Sequence, residues 1–401
     1  MRISTEILIS GGGVAGLTAA AAFGSAGFEV ICVDPSPPVT SAEAEGADLR
    51  TTAFLQPSVK VLQEAGLWSR LLPYAAPLQI MRIIDAGGVD PVPRVIKEFD
   101  ASEISDLPFG WNLPNWLLRR EMVARLAELP NVRFLPGLAT TRLLTREAEA
   151  LVTLSDGQKI AAKLLIAADG RSSPMREALG ISVKTTRYGQ KAVVFALRHP
   201  IPHHNVSTEI HRSGGPFTLV PLPDRDGSPC SAVVWMETGP EAQRLAALPV
   251  AEFEAAANLR SCGILGELRL ASPRSLWPII SQVADRMSGE RTALLAEAAH
   301  VLPPIGAQGL NMSLADLACL LDLAQADRAG LGSPAMLDAY HRSRHLDVTA
   351  RVTGIDALNR ASMMQGQGLR DLRAGALNAA YSLAPLRKTL MKAGLGLRNA
   401  D

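Results

Sequence analysis

At 401 residues the chain is long enough for roughly two domains and a sizeable buried core. Forty Lys and Arg against 39 Asp and Glu leave a formal charge of +1, which gives no cationic footprint and argues against a nucleic-acid reader. The four cysteines, Cys32, Cys230, Cys262 and Cys319, form neither a CxxC pair nor a dense disulfide framework, and read as buried small side chains in a reducing cytosol.

The N-terminus runs from Met1 straight into an apolar strand, without the basic region and cleavage site of a signal peptide. Residues 6–10 enter three glycines, 14–26 read as an alanine-rich helix ended by Gly27, and 29–33 read as a second strand stopping at Asp34. This is a βαβ beginning. Pro35-Ser36-Pro37-Pro38 signals a loop, followed by a helical stretch ending near Trp68. Residues 78–98 alternate as strands of a different sheet, 119–129 read as a helix, and 151–167 form a hairpin around Asp156-Gly157 that returns to the first domain. From about 187 to 280 the pattern is strands punctuated by Gly and Pro, with one helix near 240–259. A buried strand at 292–295 leads through a glycine-rich loop into an apolar helix at about 310–325. The remainder, 334–401, is mostly helical, and its last piece, 381–397, sets Leu and Ala against Arg387, Lys388 and Lys392. The longest apolar stretch, 17–33, holds Glu29 and is interrupted by Gly and Ser, short of a membrane span.

Gly11-Gly12-Gly13-Val14-Ala15-Gly16 satisfies GxGxxG between a strand and a helix, with Asp34 closing the next strand 18 residues after Gly16. Gly11 allows the tight turn, Gly13 lets a pyrophosphate approach the backbone at the start of the helix, and Gly16 lets helix and strand pack closely. Asp34 would accept hydrogen bonds from an adenosine ribose. This motif alone does not separate NAD from FAD.

Two later segments do. Residues 164–173, with Asp169-Gly170-Arg171 at their centre and Arg176 following, resemble the Asp-Gly motif of the FAD-dependent aromatic hydroxylases. Residues 291–311, with Pro303-Pro304-Ile305-Gly306-Ala307-Gln308-Gly309-Leu310-Asn311, resemble their second flavin motif. The resemblance is closest to the ubiquinone-biosynthesis 2-polyprenylphenol hydroxylases and covers nearly the whole chain. It implies an α/β fold: a Rossmann-like FAD-binding domain from residues 1–75, 100–180 and 281–330, a mostly antiparallel β substrate domain from 76–99 and 181–280, and C-terminal helices from 331–401. By the same resemblance Asp169 and Gly170 approach the FAD, Arg50 reaches its phosphates, and Arg119 contacts the flavin from a helix start. Glu297 takes the ribityl position, Gly306 belongs to the flavin loop, Gly309, Leu310 and Asn311 present backbone to the ring, and the Pro304 carbonyl borders the substrate. Val14 and Ala15 open the pyrophosphate helix. Ala296-Glu297 stands where the family has Gly-Asp, so an extra methylene must be absorbed.

The implied chemistry is reduction of FAD by NAD(P)H or another donor, capture of dioxygen as a C4a-hydroperoxyflavin, and hydroxylation of a prenylated phenol in an apolar pocket between the domains. The side chains there do little bond chemistry, and no catalytic acid or base stands out. A cytoplasmic protein is expected, and the basic, apolar C-terminus suits either packing on the core or attachment to the inner face of a membrane or to a quinone-biosynthesis complex. His341 and His345 share a helix face without a third ligand, so no metal is assigned. A non-catalytic FAD-binding accessory subunit and a flavin reductase acting on an isoprenoid remain the alternatives.

Overall fold

Near-continuous apolar runs, rather than alternating ones, build the centre of the first sheet, as strands covered on both faces require. Ile7, Leu8, Ile9, Leu164, Leu165 and Ile166 are all fully buried. The computed structural model describes residues 2–396 except 89, 91, 213, 364 and 365. Its first sheet runs Thr292–Leu294, Lys159–Ala167, Arg2–Ser10, Val30–Asp34, Val132–Pro136, all parallel. Ser288–Gly289 adds an antiparallel edge, and Ala150–Leu154 with Thr140–Thr145 branches from the start of Lys159–Ala167.

The helix Val14–Ser25 is buried along ten of its twelve residues. Its alanines keep the helix thin enough to lie between this sheet and the helix Asn115–Ala127. Gly24 marks the closest point: an added Cβ would sit 2.3 Å from a Val132 methyl.

A second, nine-stranded sheet is antiparallel except where Val206–His211 runs parallel to Ile80–Asp85. Its long strands Val183–Arg198 and Ser275–Ala284 mix buried and accessible positions, Ser228–Thr238 between its neighbours is buried at most of its residues, and one face carries a core of its own around Phe195, Phe217, Trp235 and Phe253. A small three-stranded sheet, Thr51–Leu55, Gly110–Pro114 and Ala76–Leu78, lies beside the other two.

The expected single helix near 240–259 is two, Gly239–Ala247 and Val250–Arg260. Pro249 has no N–H to continue the first helix and holds Leu248 extended, at φ −60° and ψ 147°. The strand Thr51–Leu55 also replaces part of a stretch read as loop and helix; it is short, and its pairing with Gly110–Pro114 is a long-range event. At the C-terminus the helices Pro334–Ser362, Gln367–Ser382 and Ala384–Leu395 follow one another, and the end of the expected final piece, at Leu397, lies outside the described residues.

Candidate functional site

Four chain segments leave the carboxyl ends of adjacent parallel strands, at Leu294, Ala167, Ser10 and Asp34 in spatial order. Ligands of open parallel sheets bind at this edge. Backbone bonds tie the segments together: Gly11 N–H donates to the Val33 carbonyl, Ala168 N–H to Ser10, and Leu295 N–H to Ala167, at 2.8, 2.8 and 2.9 Å. Motifs more than 100 residues apart in sequence thereby form one rim.

The three motif glycines have three different reasons to be glycine. Gly11 turns at φ +109°, and an added Cβ would stand 2.2 Å from the Ala168 carbonyl oxygen. A Cβ on Gly16 would meet the Gly11 carbonyl oxygen at 1.9 Å. A Cβ on Gly13 would meet nothing within 4 Å, so open space lies in front of a helix end that no side chain caps. Val14 and Ala15 form its first turn. Asp34 accepts the Gly12 N–H on Oδ2 at 2.5 Å and the Ser36 N–H on Oδ1 at 2.8 Å, which fixes the carboxylate beside the loop.

Across the rim, Gly170 turns at φ +88° beside Asp169. Asp169 Oδ2 accepts the Met175 N–H at 3.2 Å, while Oδ1 is buried without a partner. Burial pushes the Asp169 carboxyl above the ordinary carboxylate value, against the hydrogen bonds that pull it down. Arg176, buried, bridges this loop to the third segment by donating to the carbonyls of Arg171 and Ala298, at 3.1 and 3.0 Å.

Glu297 is exposed and pairs with Arg171, Nε to Oε2 at 3.1 Å. Its neighbour Ala296 holds a left-handed φ of +56°. Beyond the short strand His300–Val301 the chain exposes Pro304 and Gly306, turns at Ala307, also at φ +56°, and starts the helix Gln308–Ala326. Gly309, like Gly13, has nothing within 4 Å of an added Cβ, and this helix too lacks a side-chain cap. Leu310 is half-buried. The side chain of Asn311 is fully committed elsewhere: its amide donates to the carbonyls of Ala53 and Ala307, and its Oδ1 accepts the Leu55 N–H and the Ser58 hydroxyl, at 2.6–2.8 Å. Only the backbone of Asn311 is left to face a ring.

Arg50 and Arg119 converge on a residue the motifs do not mark, Asp48. Arg50 Nε and Nη2 donate to its two carboxylate oxygens at 2.8 and 2.7 Å, Asn115 adds a bond at 3.1 Å, and Arg119 Nη2 lies at 3.5 Å. Burial alone would raise the Asp48 carboxyl, but the Arg50 hydrogen bonds and charge hold it below the ordinary value. Arg119 Nε is buried without a partner. The Arg50 guanidinium also lies 3.9 Å from the ring centroid of Trp277, on a strand of the second sheet. Neither Asp48 nor Trp277 carries a sequence signal, because each gains its place only when distant strands assemble.

These groups could hold a flavin dinucleotide. Two uncapped helix ends with open space offer N–H groups to a pyrophosphate and to a ring, and Asp34, Asp169 and Glu297 supply acceptors for hydroxyls. Arg50 and Arg119 supply positive charge. Where the loop 302–307 meets the second sheet, Ala192, Met236, Ile279, Ile305 and Ile355 form an apolar cluster with Leu302, Val194, Val234 and Tyr188 packed against it. A cavity of about 490 Å³ lined by Arg212, Arg244, Arg260 and Arg370 shares no residue with these loops. Among the described residues no cluster of His, Cys, Asp or Glu could hold a metal ion.

The model of the FAD binding domain family matches residues 4–354. The chain is 32% identical to the ubiquinone hydroxylase UbiL of Rhodospirillum rubrum, over 98% of this chain and 89% of that protein. It is 25% identical to the 3-demethoxyubiquinol 3-hydroxylase of Escherichia coli K12, over 98% and 99% of the two chains. The crystal structure of p-nitrophenol 4-monooxygenase PnpA from Pseudomonas putida DLL-E4 superposes with a TM-score of 0.79 at 18% identity, covering both chains in full.

Proposed function

The chain belongs to the FAD-dependent aromatic hydroxylases of the FAD binding domain family, in the group of the ubiquinone hydroxylases, and from that premise we propose that it hydroxylates the ring of a prenylated phenol in ubiquinone biosynthesis. One observation carries the reading beyond the family: an apolar cluster from the second sheet meets the loop 302–307 at the same place where that loop enters an uncapped helix. The bound flavin supplies oxygen activation once NAD(P)H or another donor has reduced it.

The chain's own residues bind, orient and dry the site. The helix ends at Gly13 and Gly309 face the cofactor's negative charge, with Asp34 toward the adenosine ribose and Glu297 toward the ribityl chain. Arg50 and Arg119 reach the phosphates and the flavin, and Asp169 with Gly170 closes the rim. Met236, Ile279, Ile305 and Leu302 exclude water from the reacting ring, with the Pro304 carbonyl at its border. Tyr188 lies at the edge of this cluster; burial and its bond to Asp356, at 2.6 Å, push its hydroxyl up to about 12. It therefore keeps its proton at neutral pH and offers no base.

The apolar tail of such a substrate suits a protein that works at a bilayer surface. On Ala384–Leu395 and just before it, Leu383, Leu386 and Leu390 are exposed beside Lys388, whereas Arg387 turns inward to Glu103 at 2.7 Å. No helix among the described residues is long and apolar enough to cross a membrane. We place this surface against an anionic bilayer.

The test is oxygen uptake by the purified, FAD-containing protein with a short-chain prenylated phenol and NAD(P)H, with the product identified by mass. Phenol-dependent uptake with one oxygen atom added to the ring is expected. A protein that holds FAD and reoxidises it without forming a hydroxylated product would overturn the proposal.

A further inference from the structure

A chain of ion pairs runs from His300 in the second flavin segment into the helices behind it. Asp316, on the third turn of Gln308–Ala326, is fully buried, with His300 1% and Arg344 6% exposed at their side chains. His300 Nε2 lies 2.6 Å from Asp316 Oδ2, and Arg344 Nε donates to Asp316 Oδ1 at 2.6 Å. Arg344 Nη2 stands 3.0 Å from Asp347 Oδ2, and Arg351 Nε donates to Asp347 Oδ1 at 3.1 Å. Arg351 Nη1 then reaches Gln308 Oε1 at 3.3 Å, and the Gln308 amide donates to the carbonyls of Gly306 and Gly394, each at 2.9 Å.

Both ends of this chain grip one loop. His300 begins the short strand that enters residues 302–307, and Gln308 is the first residue after them, bonded back to Gly306. The loop between contains the left-handed Ala307 and an internal bond from Ile305 N–H to the Pro303 carbonyl. A carboxylate buried with two cationic or hydrogen-bonding partners gives little net stability over apolar packing, but it fixes relative placement, because removing one partner strands the others.

We propose that His300, Asp316 and Arg344, extended through Asp347 and Arg351 to Gln308, are positioning residues that hold loop 302–307 and the helix end at Gly309 in register with the flavin. The inference rests on the assignment of that helix end to the cofactor. Its consequence is that breaking the ion chain loosens flavin binding and alters the environment of the ring, beyond any loss of stability.

The experiment compares Asp316→Asn and His300→Ala with Tyr340→Phe. Tyr340 is equally buried and lies on the same helix as Arg344, but its hydroxyl donates to the Leu294 carbonyl, at 2.8 Å, outside the loop. FAD affinity of the apoproteins by flavin fluorescence quenching and the flavin midpoint potential are read alongside melting temperature. Asp316→Asn and His300→Ala are expected to weaken FAD by about tenfold or more and to shift the potential, whereas Tyr340→Phe lowers only the melting temperature. Should the two core variants fail to fold, Arg351→Met, partly exposed, replaces them with an expected loss of about threefold. Variants that bind FAD as wild type does, at unchanged potential, overturn the inference and leave the hydroxylase reading standing. A wild-type protein that takes up no FAD overturns the cofactor assignment itself.

Discussion

The backbone is left-handed at Gly11, Ala296 and Ala307, yet only the first of these positions is glycine. At Gly11 the φ of +109° lies outside the region that L side chains adopt, and the Ala168 carbonyl oxygen would stand 2.2 Å from a Cβ. At Ala296 and Ala307 the φ of +56° lies in the small left-handed well that non-glycine residues can occupy at a cost of about 1–2 kcal/mol each. The dinucleotide end of the site is therefore closed to substitution by backbone contact, whereas the ring end carries a local strain that its surroundings support. Strain held in this way marks a place where tertiary structure, not local preference, sets the backbone.

The largest effect is expected where contact leaves no room. Gly11→Ala should destabilise the protein by at least about 3 kcal/mol and abolish retention of FAD, since both the turn and the approach to Ala168 are lost. Thermal melting and the visible spectrum of the purified variant check this, and a variant that melts and binds as wild type does would remove the steric half of the comparison. Next comes Arg50→Ala, which leaves the partly buried Asp48 carboxylate without its main partner. A loss of about 1–2 kcal/mol is expected at neutral pH, discounted because Arg50 is one-third exposed. The pair holds the Asp48 carboxyl below its ordinary value, so its contribution is present above the unfolded-state value and fades as pH falls through the folded one. Acid denaturation of Arg50→Ala should accordingly show a shallower loss of stability across that range than wild type shows.

The contrast between the loops also marks how far the sequence could be read. Gly11, Gly13, Gly16, Asp34 and the Asp169-Gly170 turn are legible because short-range sterics dictate both residue type and spacing. The parallel core was equally plain from its unbroken apolar runs. Ala296 and Ala307 give no such sign: alanine favours right-handed helix, and only the assembled strands force it to the left. Asp48 and Trp277 were invisible for a related reason, since the Arg50 that joins them sits 227 residues before Trp277 and meets it through a sheet whose order no local pattern states. Pro249 is the opposite case, a local signal present in the sequence and outweighed by helical periodicity on either side.

Asp169→Asn separates binding from stability at the rim. The carboxyl is held above its ordinary value by burial, so the ionised form is disfavoured in the fold: the stability tied to its proton is complete below the unfolded-state value and is lost as pH rises through the folded one. Removing the charge should leave the apoprotein at neutral pH as stable as wild type or slightly more so, while FAD affinity falls about tenfold for want of the acceptor. A parallel drop in both would mean that Asp169 serves the turn rather than the cofactor.

The smallest expected effect tests the strained loop itself. Ala296→Gly relieves the left-handed penalty but adds freedom to the unfolded chain, so a net gain of only about 0.5–1 kcal/mol is expected, read as a rise of a few degrees in melting temperature. FAD affinity decides what the strain is for. An unchanged affinity with the higher melting temperature means that the surroundings fix Glu297 and Arg171 whatever residue stands at 296. A weaker affinity in a more stable protein means that the alanine holds the Glu297 turn in place for the ribityl chain. Loss of stability would show that the Ala296 methyl packs well enough to outweigh its backbone, and the ring end would then be as tightly determined as the turn at Gly11.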